Sequence, residues 1–171
     1  DINQEVGLAM AKLKALSDEN GWNLTQSALY GYSSGCHIAL LYAYSDGNEA
    51  SAPLPVKTVF GMVGCVDFRD EFWANIEMNG PGIAAVGLND ERLISTTNPY
   101  PEDVYNELID SISPIAFAKR GDAVPTVAAY AMLDPALIDW YNGVALEQVM
   151  EDKGIANEIY LLPNSGHVTG N

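Results

Sequence analysis

Between residues 28 and 44 the chain reads ALYGYSSGCHIALLYAY. An apolar run stops at Gly-Tyr-Ser-Ser-Gly, and a second apolar run begins at once. The first run has the length of a buried strand and the second that of a helix. Only a sharp turn joins the two so abruptly, and Gly31 and Gly35 leave room for it beside neighbouring backbone. A strand that passes straight into a helix is the unit of a parallel sheet. Such a turn pushes Ser33 out above the C-terminal edge of the sheet. The backbone N–H of Ser34 then stands at a helix N-terminus, where unpaired donors favour negative charge. An oxyanion forming on a carbonyl attacked by Ser33 would sit there. Ser33 is therefore a candidate nucleophile and the Ser34 N–H a candidate oxyanion donor.

The rest of the chain fits a parallel sheet. Residues 3–20 read as an amphipathic helix with Val6, Met10, Leu13 and Leu16 on one face, ended by Gly21. Strands are expected at QSALYGY, VKTVFGMVG, PTVAAYAM and NEIYLLP, and helices at SGCHIALLYAYS and PALIDWYNGVALEQVMEDKG. From about 68 to 112 the pattern loosens into Gly, Pro, Asn and short helical pieces, read as an inserted helical lid or cap. Phe72, Trp73 and Tyr100 within it are possible substrate-pocket walls. The fold class is α/β: one domain over residues 1–171, a mostly parallel sheet flanked by helices, with the cap-like insertion.

Charge and composition exclude other functions. With 23 acidic residues against 8 basic, the chain has no Lys/Arg cluster for phosphates, so a nucleic-acid partner is not expected. No apolar run approaches a membrane span, so no stable membrane insertion is expected. His37, His167, Cys36 and Cys65 lack metal-ligand spacing, so no metal is expected. The two cysteines are not a disulfide framework, although a bridge between them stays open. The chain starts with Asp, not Met, and no leader is recognisable. A cytoplasmic location is the first expectation and a secreted one the alternative.

A serine hydroxyl needs a base. His37 lies one turn into the helix behind Ser33, where packing is its expected role. His167 follows the last strand in a Ser-Gly-His loop, on the same sheet edge as Ser33, and is the preferred base. The imidazole needs an acid to orient it. Asp134 ends PTVAAYAMLDP at that same edge and is preferred. Asp67, just past MVGCV, is the alternative. Asp122 precedes its strand, and Asp139 lies within the following helix.

LYGYSSGCHIALLYA, SPIAFAKRGDAVPTVAAYAMLDP and GIANEIYLLPNSGH together resemble the α/β-hydrolase superfamily, in particular its esterase/lipase-like, carboxylesterase-related serine hydrolases. The order Ser33, Asp134, His167 is the family's order of nucleophile, acid and base. The resemblance implies that these three are catalytic and that Ser34 supplies a backbone oxyanion donor. It further implies a small-molecule ester substrate, an acyl-serine intermediate and no cofactor. It covers the C-terminal portion of the family fold. The early His-Gly-Gly loop that provides a second oxyanion donor has no counterpart in these residues. A missing N-terminal segment or a homo-oligomer contact is expected to cover the exposed sheet edge. Amide hydrolysis of the arylformamidase or prolyl-oligopeptidase type is the alternative, as is a non-catalytic fragment that binds a partner.

Overall fold

A computed structural model describes residues 2–68, 107, 109–134 and 140–168 of the chain. In chain order the elements are α1 (Ile2–Asn20), β1 (Ser27–Tyr32), α2 (Ser34–Tyr44), β2 (Val56–Met62), α3 (Pro114–Arg120), β3 (Thr126–Ala131), α4 (Trp140–Asp152) and β4 (Asn157–Leu162). The strands form one sheet in the order β1-β2-β3-β4, and every neighbouring pair is parallel. All four strands therefore end at the same edge.

The core lies on one face of this sheet. Eight of the eleven residues of α2 are buried, as expected for a helix that is apolar nearly all round. Leu40, Ala43 and Tyr44 of α2 pack with Val56 and Val59 of β2 and with Leu146 and Met150 of α4. Full burial of one such aliphatic side chain contributes roughly 1.5–3 kcal/mol. The Tyr44 hydroxyl is buried too, and it is satisfied by Thr126 Oγ1 at 2.7 Å. A second cluster joins Phe68, Ile109 and Ile112 to Cys65, Ala128 and Tyr130.

Among the described residues, nothing covers the opposite face. Tyr30, Phe60 and Tyr160 are 68%, 46% and 52% exposed. Tyr30 is paired in register with Phe60, and Ala129 with Tyr160. These side chains share a face because alternate residues of a strand point the same way.

Several sequence expectations are corrected. The buried stripe of α1 runs through Val6, Met10 and Ser17, while Leu13 is 40% exposed. Strand β2 stops at Met62, because Val63 takes φ 47° and leaves the extended region. Gly35 was expected to relieve a clash, yet a Cβ there would meet nothing within 4 Å. Helix α3 was not anticipated, although Pro114 at its start, Lys119 and Arg120 in its last turn and left-handed Gly121 at φ 93° mark both its ends. Residues 135–139 of the expected last helix, and the cap-like insertion apart from Phe68, Glu107 and 109–112, lie outside the described residues. Cys36 and Cys65 are buried thiols that form no disulfide.

Candidate active site

Ser33 links β1 to α2 with φ 55° and ψ −124°, a backbone state that side-chain-bearing residues rarely adopt. Three bonds hold it there. Its N–H donates to Met62 O at 2.8 Å, and its carbonyl accepts from the N–H groups of Cys36 and His37 at 2.9 and 3.1 Å. Space for the turn comes from three glycines. A Cβ on Gly31 would stand 2.2 Å from Gly35 O, and Cβ atoms on Gly61 and Gly64 would stand 2.6 and 2.3 Å from Cys36 Sγ. The first turn of α2 therefore rests directly on the ends of β1 and β2. Ser34 opens the helix, so its N–H has no intrahelical acceptor.

The next two strands bring in the other side chains. Ladder-like bonds continue past β3 and β4: Met132 N–H donates to Leu162 O, and Leu133 N–H to Ser165 O, both at 3.0 Å. This sets Asp134 beside His167. His167 Nδ1 lies 2.6 Å from Asp134 Oδ2, and His167 Nε2 lies 2.8 Å from Ser33 Oγ. A carboxylate oxygen can only accept, so Nδ1 carries the proton and Nε2 is left to accept from the serine hydroxyl. The Asp134 side chain is 0% exposed and that of His167 21%. The pair is thus shielded on the acid side and open on the base side.

The remaining sequence candidates sit elsewhere or beyond description. His37 is buried, donates from Nε2 to Ile112 O at 2.8 Å and meets the Phe68 ring edge-on at 5.0 Å. Burial pushes its imidazole below the ordinary value, partly opposed by the Ile112 bond. The hydrogen bond from His167 runs to Asp134, not to Asp67. The Asp67 N–H, with that of Val66, donates to Asn142 Oδ1, at 3.1 and 2.9 Å. Phe72, Trp73 and Tyr100 lie outside the described residues. Burial pushes the Cys36 thiol up to about 12, despite backbone bonds with Met62 and Gly64, which makes it a poor nucleophile.

Two residues escaped the sequence reading. Buried Asn142 of α4 fixes the loop after β2. Tyr32 reaches from the end of β1 to the main chain of His167. Neither carries a local signal, because each acts on a loop distant in the chain. Clefts of about 500 and 300 Å³ adjoin the C-terminal end of α2, away from Ser33. Among the described residues no group of His, Cys, Asp and Glu could hold a metal ion, and no helix is long and apolar enough to cross a membrane.

No protein-family model and no curated protein matches the sequence. Solved structures do. A truncated carbohydrate esterase from gut microbiota is 18% identical with a TM-score of 0.72, over 96% of this chain and 60% of its own. A carboxylesterase from Lactobacillus plantarum is 13% identical with a TM-score of 0.62, over 97% and 54%. A puromycin-hydrolyzing peptidase of Mycobacterium tuberculosis is 15% identical with a TM-score of 0.63, over 91% and 21%. The chain thus spans 60% or less of the length of each of these proteins. Four parallel strands in sequential order, helices packed on them and this set of structural neighbours identify the fold of the described residues as that of the α/β-hydrolases.

Proposed function

We propose that the chain carries the catalytic residues of a serine hydrolase that cleaves carboxylic esters of small to medium acyl groups. The supporting observation is the continuous line Asp134–His167–Ser33, with contacts of 2.6 and 2.8 Å, ending on a serine at φ 55°. In this reading Ser33 Oγ attacks the ester carbonyl while its proton passes to His167 Nε2. Asp134 holds the Nδ1 proton and stabilises the imidazolium. The negative oxygen of the tetrahedral intermediate accepts from the Ser34 N–H. The proton on Nε2 then leaves with the alcohol, which yields acyl-Ser33. Water, deprotonated by His167 Nε2, attacks the acyl group, and His167 returns that proton to Ser33 Oγ as the acid leaves. No cofactor enters any step. A second oxyanion donor is assigned to residues other than those described.

Amide hydrolysis is the second reading, and one observation favours it: the structural neighbours include peptidases as well as esterases. Assays with p-nitrophenyl acetate and butyrate against matched anilides and N-formylkynurenine separate the two. Ester hydrolysis with a kcat/KM at least tenfold above that for the amides supports the first reading. Amide cleavage with little ester cleavage supports the second. We also propose that the bare sheet face and the free edge of β1 are covered by further residues or by a second copy of the chain.

A further inference from the structure

We propose that Tyr32 is a positioning residue that fastens the His167 loop to the turn carrying Ser33, an inference that rests on the hydrolytic reading above. Tyr32 ends β1 and immediately precedes Ser33. Its hydroxyl donates to the main-chain carbonyl of His167. Its ring meets the imidazole edge-on, with centroids 5.6 Å apart and planes at 61°. One side chain therefore grips both the backbone and the ring of the base.

Among the described residues, the loop after β4 has few other main-chain fastenings. Ser165 N–H donates to Leu162 O, and Ser165 O accepts from Leu133 N–H. Both stop two residues short of His167. Among the described residues, the Tyr32 bond is the one that ties the main chain at His167 itself. The two bonds to the imidazole hold the ring and not the main chain, and while the Asp134 bond persists through the reaction, the Ser33 bond does not. Ser33 must give up its proton during the reaction, so that bond is remade in each half-cycle. The Tyr32 bond takes no part in proton transfer and persists throughout. It also originates one residue from the nucleophile, so base and nucleophile are located from the same end of β1. Misplacement of a reacting group by about 1 Å costs on the order of a hundredfold in rate, and a loop whose main chain is otherwise tied, among the described residues, at Ser165 has that freedom.

Tyr32→Phe removes the hydroxyl and keeps the ring. Tyr30→Phe, two residues earlier on the same face of β1, is the control. Its hydroxyl contacts Met62 Sδ at 3.8 Å, not the His167 loop. With p-nitrophenyl butyrate, Tyr32→Phe is expected to lower kcat about tenfold or more, with KM within about twofold, while Tyr30→Phe matches the parent. The low-field proton signal of His167 Nδ1–H supplies a readout independent of turnover. It should be sharp in the parent and in Tyr30→Phe, and broadened by exchange in Tyr32→Phe. Should Tyr32→Phe fail to fold, Tyr32→Leu is expected to give the same losses. An unchanged kcat together with a sharp signal in the folded variant overturns the proposal. If the parent turns over no substrate, the hydrolytic reading fails, and the proton signal alone decides whether Tyr32 positions the loop.

Discussion

Asp134 and Asp67 both follow strands that end at one sheet edge, so position alone does not choose between them. The choice is geometric, because the chain beyond β3 and β4 stays paired and holds Asp134 2.6 Å from His167 Nδ1. Asp134→Asn is expected to lower kcat on p-nitrophenyl butyrate by on the order of a thousandfold or more, since an amide can favour the wrong imidazole tautomer. Asp67→Asn should stay within about threefold of the parent in the same assay. A second residue-scale outcome concerns Tyr130. Its side chain is fully buried, yet its hydroxyl has no hydrogen-bond partner among the described residues. Tyr130→Phe removes that orphan donor and is expected to stabilise the fold by about 1 kcal/mol in urea unfolding. Ser33, Asp134 and His167 could be singled out in the sequence because each follows an apolar strand at one edge. Tyr32 and Asn142 could not, because their partners lie 135 and about 75 residues away.

The strand-to-helix turn is held by sterics as much as by bonds. Gly31→Ala would set a Cβ 2.2 Å from backbone oxygen, and backbone cannot swing aside as a side chain can. The substitution is expected to cost several kcal/mol and to abolish activity, as read by urea unfolding and by assay. His37 couples α2 to pH. Its folded-state imidazole is pushed below the ordinary value of about 6.5, so the unfolded chain binds the proton more tightly. Its contribution is complete above that ordinary value and is lost as pH falls from there through the lowered folded-state value. His37→Gln, which keeps an N–H for Ile112 O, should flatten the fall in Tm between about pH 7 and pH 5 relative to the parent. Helices α1 and α2 and all four strands were legible from periodicity and turn residues. Helix α3 was masked by its setting between irregular segments, although its Pro and Gly punctuation was present. The end of β2 was misjudged because Val63 is β-branched and reads as strand, whereas it takes φ 47°.

On the scale of the whole molecule, the described residues cover one face of the sheet and leave the other bare. Tyr30, Phe60 and Tyr160 form an exposed aromatic surface of the kind soluble monomers seldom leave open. The 171-residue chain on its own is therefore expected to bind an apolar dye and to self-associate with rising concentration. Replacing all three aromatics by Ser should lower both effects in dye titration and light scattering, and an unchanged monomer would contradict this. The alternation of strand and helix made the fold class legible. The bare face was less so, because alternate strand residues on both faces are apolar and only burial tells them apart. The central claim is that Ser33 is an activated nucleophile, and trapping tests it most directly. The chain is treated with a fluorophosphonate and the modified peptide is located by mass spectrometry. The account expects one phosphonyl group on Ser33, lost in Ser33→Ala and strongly slowed in His167→Ala. A folded parent chain that stays unmodified at Ser33, or that is modified equally fast without His167, would contradict it.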